Sequence, residues 1–413
     1  MSNRTDKEIL GYSRWLVLLA AFLAMALVSP FEYAWSSISP LIAEANHWAL
    51  NQLGFIFTLF VLFQSGASFP TGILRDKYGP RLLTIIGGIL AGVGIFSLTS
   101  DSFPILVLFY GILGSFGAGM IYSNAVNIGN KWFPDKRGLT TGLIAGAFSW
   151  GAIPFIFWIR NAANVSNYPW ILSKIAIIAG VVIIVCGFIL RDPPKGWKPS
   201  GWSADELGSL ARPSEHQFNF KETIKTWQFW ILYSAFFLIS GAGLMTISKI
   251  VEYADSVGFI PAVGTAAAAG LALTNGLGRI VMGRVSDKLG REDAMTLSFV
   301  LMGFFLLIST GTSSSIIFLT CILLSLFFWG PLFSLFPAIM GHYYGEDNAA
   351  SNYGVLYSAK MLGGLYGGYI SATFMKNLGF KITFLIGGLM GMMAGLLILT
   401  LKFNPPIWNK ENT

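Results

Sequence analysis

The sequence has little charge, few histidines and almost no cysteine. Only 11% of its 413 residues are charged, whereas 54% are hydrophobic, and an ordinary soluble domain has about 25% charged residues. This balance excludes most soluble classes and indicates a polytopic membrane protein. Two cysteines, Cys186 and Cys321, both in apolar runs, and three histidines in or near loops offer no disulfide framework or metal-ligand spacing. The sequence therefore predicts neither a metal nor a cofactor.

The positive net charge of +7 does not indicate a nucleic-acid partner. The basic residues lie in short segments between apolar runs, where Lys and Arg determine membrane orientation. One set of loops holds Arg4, Lys7, Arg14, Arg75, Lys77, Arg81, Lys131, Lys136, Arg137, Arg191, Lys195, Lys198, Arg284, Lys288 and Arg291. The opposite set holds little beyond Arg160, Lys174, Lys249, Lys376 and Lys381. We therefore expect a cell (inner) membrane protein with both termini in the cytoplasm and the lipid bilayer as its surroundings.

The apolar runs divide the chain into twelve predicted transmembrane helices, since one crossing takes about 20 residues. The predicted spans are 14–38, 52–74, 82–100, 104–129, 138–160, 172–190, 226–250, 262–286, 293–311, 315–341, 351–373 and 381–402. The predicted fold class is an all-α polytopic membrane protein.

A repeat divides these spans into two halves. The segment from Gly72 to Gly79 after span 2 matches the segment from Gly283 to Gly290 after span 8, with Gly, Asp, Lys and Gly in register. The separation is about half the chain, as in transporters built from parallel repeats. We predict six-helix bundles at 1–190 and 226–413, joined by a cytoplasmic loop at 191–225. Within this loop, Ser203-Ala204-Asp205-Glu206 predicts a capping box that begins a short amphipathic helix.

Arg279 is the first candidate for the functional site. It lies in an apolar span, where a charged side chain is costly and is usually kept for a function. Asn275, four residues earlier, occupies the same helix face. The planar guanidinium matches a carboxylate, so we favour substrate binding over an arginine that only contacts backbone carbonyls near a cytoplasmic gate.

Lys360 and Glu32 are the other ionisable candidates within predicted spans. Lys360 lies too far into span 11 to reach the membrane surface easily, which favours a cavity lysine over one that snorkels. Glu32 lies in the outer half of span 1. An ionised Glu32 leaves Arg279, Lys360 and Glu32 with one net positive charge, and a protonated one leaves two. Proton coupling, a structural ion pair and exposure to the outer vestibule all remain open for Glu32.

The twelve spans, the half-chain repeat and the paired Gly-x-x-x-Asp-Lys-x-Gly segments resemble the major facilitator superfamily. This resemblance implies two six-helix pseudo-repeats. It also implies that Asp76, Arg75, Asp287 and Arg284 form a cytoplasmic gate, where the acidic residues meet arginines or a helix N-terminus.

A narrower resemblance rests on the segments 130–138, 192–197 and 352–354, together with Phe31-Glu32-Tyr33-Ala34-Trp35 in span 1. These are similar to the oxalate:formate antiporter family, which is related to the proton-coupled monocarboxylate transporters. The resemblance implies that Arg279 and Lys360 hold carboxylates and that Tyr33, Tyr122, Trp329 and Tyr357 face the central cavity. The animal monocarboxylate transporters have an aspartate where this chain has Asn275, so that proton site is missing.

Several functions are consistent with these residues. The main hypothesis is a secondary transporter of small mono- or dicarboxylates such as lactate, pyruvate, formate or oxalate. Two cations favour anion exchange, whereas Glu32 favours proton symport. A carboxylate sensor is a remote alternative, because no added soluble domain is present. An enzyme is not expected, because no nucleophile and base pair or metal cluster occurs at matching depth.

Overall fold

The computed structural model describes residues 6–133, 137–194, 197, 199, 217–345 and 348–403. Within these ranges the regular elements are helices, and no strand occurs. A short helix, Asp6–Leu10, precedes six spans in the first half. Their helical segments are Arg14–Val28, Pro30–Tyr33 and Trp35–Asn46 in span 1; Leu50–Gly66 and Ser68–Tyr78 in span 2; Pro80–Ser97 in span 3; Phe103–Ile105, the π-helix Leu106–Gly114 and Ser115–Trp132 in span 4; Arg137–Trp150 and Ile153–Ala162 in span 5; and Tyr168–Ile189 in span 6.

The second half repeats this pattern after the short helix Phe220–Thr223. Its segments are Trp227–Val257 in span 7; Pro261–Leu289 in span 8; Arg291–Ser309 in span 9; Ser315–Trp329 and Leu332–Tyr344 in span 10; Ala349–Tyr357, Ala359–Leu365, the π-helix Tyr366–Ile370 and Ser371–Leu378 in span 11; and Phe380–Phe403 in span 12. The predicted fold class of twelve helices in two six-helix pseudo-repeats is confirmed. The exact domain limits at 190 and 226 stay a prediction, and the predicted capping box at 203–206 lies outside the described residues.

The helix ends differ most from prediction at the end of the bundle away from the basic loops. Span 1 continues to Asn46 and span 7 to Val257. Lys249, which the sequence placed among the loop cations, is therefore within a helix and fully buried, with Nζ 3.4 Å from Glu252 Oε1. An ion pair between residues three apart satisfies both charges inside the helix. This correction removes one cation from the opposite set of loops.

Nine helices among the described residues are long and apolar enough to cross a membrane by composition. Spans 2, 8 and 11 are not among them. Span 2 contains a shorter apolar helix, Leu50–Gly66, and span 11 is divided into segments of nine residues or fewer. Gln64, Arg279 and Lys360 lie in these three spans, whereas Glu32 lies in span 1, which is among the nine.

Helix breaks occur next to Glu32, Gln64 and Lys360, whereas span 8, which carries Arg279, is one uninterrupted helix. Span 1 is interrupted at Ser29, before Pro30, and again at Ala34. Spans 5 and 10 break before or at a proline, Pro154 and Pro331, whose ring removes a backbone donor. Spans 2 and 11 break at Ala67 and Ser358. Discontinuous helices are typical of substrate sites in transporters, because they free backbone groups and re-aim side chains.

Glycines let spans 2 and 11 touch across the boundary between the halves. A Cβ at Gly54 would lie 2.7 Å from the Cβ of Ala372 and 2.7 Å from the carbonyl oxygen of Gly368. Further along, the Thr58 hydroxyl donates to the Gly364 carbonyl at 3.2 Å. Small residues allow such close approach, so the halves are in contact at the end away from the basic loops.

The predicted gate is only partly within the described structure. Arg75 is 2% exposed and donates to Asp192 at 2.7 Å, and Lys131 reaches the same carboxylate at 2.7 Å. Arg284 is exposed. The side chains of Asp76 and Asp287 lie outside the described part, so the role of these four residues in a gate stays a prediction.

Candidate functional site

Arg279 lies at the boundary between the two halves. Its guanidinium donates from Nη1 to the Ala145 carbonyl at 2.7 Å and from Nη2 to Asn275 Oδ1 at 2.9 Å. A longer contact of 3.4 Å joins Nη2 to the Tyr33 hydroxyl. These acceptors are neutral, and no carboxylate lies within ion-pair distance of Arg279 among the described residues. With only 3% of its surface exposed, Arg279 is a buried cation to which the described part of the chain offers no counter-charge.

Asn275 holds this cluster together. Its Oδ1 accepts from Ser149 Oγ at 2.6 Å and from the Tyr33 hydroxyl at 3.2 Å, besides Arg279. The four-residue spacing on span 8 places Asn275 one helical turn from Arg279. Tyr33 and Ser149 come from spans 1 and 5, in the other half. The structure thus brings the predicted residues Tyr33, Asn275 and Arg279 into one hydrogen-bonded group.

Lys360 forms a second group beside the first. Its Nζ lies 3.1 Å from Glu32 Oε2 and donates to Gln64 Oε1 at 3.3 Å. Glu32 and Lys360 both have no exposed surface. A charge-assisted bond is the usual way to keep two ionisable groups buried, and here it joins span 1 to span 11. Of the readings that the sequence left open for Glu32, exposure to a vestibule is excluded in this conformation.

The ring of Phe333 connects the two groups. Its centroid lies 4.6 Å from Arg279 Cζ and 5.3 Å from Lys360 Nζ. Cations are attracted to the face of an aromatic ring within about 6 Å. Both cations therefore belong to one site, which we call the central cluster and define as Glu32, Tyr33, Asn275, Arg279, Phe333 and Lys360.

The other predicted aromatic residues surround the central cluster. The Trp329 ring packs edge-on against Phe333 at 5.4 Å, and its indole N–H donates to the Ile239 carbonyl at 2.8 Å. Because the indole N–H already donates within the second half, Trp329 packs beside the central cluster as an apolar neighbour. Tyr357 lies next to Lys360, with its ring centroid 5.8 Å from Nζ. Tyr122 packs against Phe148 at 5.4 Å.

Several polar atoms in this region are buried without a hydrogen-bond partner among the described residues. They are Arg279 Nε, Asn275 Nδ2, the Tyr357 hydroxyl and Glu32 Oε1. A buried donor that lacks a partner costs about 1–3 kcal/mol. Three of the four can donate, next to a cation that has no counter-charge. This arrangement suits a ligand rich in acceptors and negatively charged.

Sequence reasoning missed three contributors to this region. Gln64 and Ser149 contact the predicted residues directly, and the backbone carbonyl of Ala145 accepts from Arg279. The resemblance implied four cavity aromatics, and the structure adds Phe333 to them. The available sequence signal was the proline at or just after each nearby helix break: Pro70 for Gln64, Pro154 for Ser149 and Pro331 for Phe333.

Comparisons with known proteins agree with this architecture. The family model described as Major Facilitator Superfamily matches residues 14–267 and 239–413. The chain is 31% identical over 387 residues to the oxalate:formate antiporter of Oxalobacter formigenes, which covers 92% of this chain and 90% of that protein. It is 26% identical over 349 residues to the uncharacterized MFS-type transporter YhjX of Escherichia coli, covering 84% of each.

A more distant relative is the apicoplast pyruvate carrier 1 of Toxoplasma gondii, 23% identical over 397 residues, with 81% of this chain and 71% of that protein covered. The curated relatives named here are transporters or transporter-like proteins rather than enzymes. The protein is a multi-pass membrane transporter, and its chain belongs to the major facilitator superfamily and, within it, to the oxalate:formate antiporter family.

Proposed function

We propose that this protein is a secondary active transporter of small carboxylates, in which Arg279 binds the carboxylate group of the substrate. The observation that carries this proposal is the buried guanidinium of Arg279, which has neutral acceptors but no counter-charge among the described residues. Its Nε and the nearby Asn275 Nδ2 have no acceptor there. A carboxylate supplies both the missing charge and several acceptor sites.

The names of the relatives support a small, negatively charged substrate. The names of two of them refer to oxalate, formate and pyruvate, which are all small carboxylates. The central cluster is built from Arg, Lys, amide and hydroxyl groups within an aromatic wall, and such a wall excludes water and strengthens charge-assisted bonds. Lactate, pyruvate, formate and oxalate are therefore the first substrates to test.

The positions of the two groups suggest alternating access. Each of them joins the halves, Arg279 through Tyr33 and Ala145, and Lys360 through Glu32. Rocking of the halves about the central cluster must break these contacts. A substrate carboxylate could replace some of them, so that closure depends on its presence. In this scheme the cytoplasmic side carries the basic loops and both termini, and Arg75, Asp76, Arg284 and Asp287 act as a gate.

Two couplings fit this scheme. The similarity to an oxalate:formate antiporter favours exchange of one anion for another. The ionisable Glu32 at the centre favours symport of a carboxylate with a proton. A transporter-like sensor that binds a carboxylate without moving it is a third possibility, which a transport assay separates from both.

Uptake into proteoliposomes tests the proposal and the coupling together. Purified protein is reconstituted, and radiolabelled pyruvate, formate or oxalate is supplied outside, first with a matching anion inside and then with an inward proton gradient alone. Exchange predicts uptake only in the first arm, and proton symport predicts uptake in the second. Binding without uptake in either arm indicates a sensor, and neither binding nor uptake of any of these acids contradicts the proposed function.

A further inference from the structure

The central cluster has one positive charge more than it has negative charges. Arg279 stays protonated at any physiological pH. Glu32 and Lys360 are 3.1 Å apart and fully buried. Whether their shared proton lies on the amine or on the carboxyl group, the pair as a whole is neutral. Uptake of a second proton, which makes Glu32 neutral while Lys360 stays charged, adds one positive charge to this sum.

We propose that Glu32 is an internal counter-carboxylate that determines the substrate class. By occupying Lys360, it leaves Arg279 as the one cation of the central cluster without a counter-charge, so that the site accepts monocarboxylates. A dicarboxylate binds only when Glu32 takes up a proton and releases Lys360 for the second carboxylate. This inference rests on the proposed function, because it assumes that Arg279 binds the first carboxylate.

The contacts of Lys360 explain why Glu32 and a second substrate carboxylate exclude one another. The ammonium group has three donors, of which Glu32 Oε2 and Gln64 Oε1 use two, so the exclusion comes from the charge of Glu32 and not from a lack of donors. Arg279 and Lys360 both contact the ring of Phe333, and Lys360 is the other cation of the central cluster, so a diacid at Arg279 would need Lys360 as the counter-charge of its second carboxylate. There it would meet ionised Glu32 in a buried site, where like charges repel strongly.

Glu32 also has an atom at which a second proton could be received. Its Oε1 is buried and has no hydrogen-bond partner among the described residues. The titratable groups around Glu32 come from four spans: Tyr33 from its own span, Tyr110 and Tyr122 from span 4, Arg279 from span 8, and Tyr357 and Lys360 from span 11. Tyrosine ionises near pH 10 and arginine above about pH 12. The tyrosines and the arginine therefore keep their charge state between pH 6 and 8.

Pyruvate and oxalate form a suitable pair of probes. They share a skeleton of six non-hydrogen atoms, and a methyl group in pyruvate replaces a charged oxygen in oxalate. Above about pH 6 both are fully ionised, since ordinary carboxyl groups titrate near pH 4. Calorimetric titration of the purified full-length protein with each acid, at several pH values from 6 to 8, measures the effect of that one charge.

For the wild-type protein we expect pyruvate to bind at least about tenfold more tightly than oxalate at pH 7. Pyruvate affinity should not depend on pH in this range. Oxalate affinity should rise by about tenfold for each unit of decrease in pH, because its binding takes up one proton. These wild-type measurements test the proposal even if a substituted protein does not fold.

The variant Glu32→Gln removes the internal carboxylate and keeps its shape. We expect it to bind oxalate more tightly than pyruvate and to lose the pH dependence of oxalate binding. Glu44→Gln is the matched control, because Glu44 lies on the same span but is exposed; it should keep the wild-type preference. Equal binding of both acids by the wild type, or a Glu32→Gln variant with unchanged preference, overturns this inference while carboxylate binding stands. Failure to bind any carboxylate overturns the proposed function instead.

Discussion

Arg279 and Lys360 are both buried cations of the second half that reach into the first, yet they are held in different ways. Lys360 has a carboxylate partner, Glu32, at 3.1 Å. Arg279 has the Ala145 carbonyl and the Asn275 amide oxygen, which carry only partial charges. In a buried ion pair each charge is compensated by the other, whereas a buried cation surrounded only by dipoles still attracts an anion. This difference supports the proposal that Arg279 binds the substrate, while Glu32 keeps Lys360 from binding it.

The largest expected effect is a loss of protein stability when Lys360, the cation that has a carboxylate partner, is replaced. Lys360→Met leaves Glu32 buried without a counter-charge, which costs about 3–5 kcal/mol when one member of a buried pair is lost. The melting temperature of the purified protein should fall clearly. Adding Glu32→Gln to this variant should restore most of the lost melting temperature, because the protein then no longer buries an uncompensated charge.

Lys376→Met serves as the control for that experiment, since Lys376 is on the same span and exposed. It should leave the melting temperature near that of the wild type. If Lys360→Met is as stable as this control, or if the double variant is no more stable than the single one, then the ion pair does not hold Lys360 as described.

A substitution at Asn275 can give Arg279 a carboxylate partner, as Lys360 already has in Glu32. Asn275→Asp places a carboxylate where Asn275 Oδ1 lies 2.9 Å from the guanidinium. Pyruvate must then compete with the introduced carboxylate unless that group is protonated, so its affinity should fall by about tenfold for each unit of increase in pH above the pKa of the new carboxyl. Titration calorimetry over a pH series measures this slope.

Asn275→Ala is the matched comparison for Asn275→Asp, because it removes the same amide without adding charge. Its pyruvate affinity should be lower than that of the wild type but independent of pH. An Asn275→Asp variant with no pH slope would show that Arg279 is not the group that binds pyruvate.

The smallest expected effect is the change in pyruvate affinity when Phe333, whose ring contacts both Arg279 and Lys360, is replaced. Phe333→Leu keeps an apolar side chain but removes the aromatic face that lies 4.6 Å from Arg279 and 5.3 Å from Lys360. A cation–π contact is worth about 0.5–2 kcal/mol. Pyruvate affinity should therefore fall by about twofold to thirtyfold, without any new pH dependence. A complete loss of binding would mean that Phe333 positions the site rather than only contacting the cations.

The pattern of apolar runs and residue spacings was sufficient to predict the fold and to single out individual candidate residues within each span. The twelve spans follow from the length of apolar runs, and the i, i+4 spacing of Asn275 and Arg279 anticipates their hydrogen bond. Contacts between spans could not be read in the same way. The approach of Lys360 to Glu32 and Gln64 depends on how spans 1, 2 and 11 pack, and this depends on glycines such as Gly364, which contacts Val61.

The error at Lys249 has a similar origin. Its helix was ended where the apolar run ended, but span 7 continues for about two further turns at 3.6 residues per turn. Glu252 supplies the counter-charge that lets Lys249 remain buried, and Ser39 of span 1 donates to the same carboxylate at 3.0 Å. A hydropathy scan treats each charge separately and cannot recognise such a pair.

The proposed function depends most on Arg279, and calorimetric titration of Arg279→Gln with pyruvate tests it most directly. Glutamine keeps polar contacts to Tyr33 and Ala145 possible but removes the charge. We predict that the variant keeps the wild-type melting temperature within a few degrees and binds pyruvate at least about a hundredfold more weakly, since losing one partner of a buried charge pair costs roughly 3 kcal/mol. A folded Arg279→Gln protein that binds pyruvate with wild-type affinity would contradict the assignment of the substrate to Arg279.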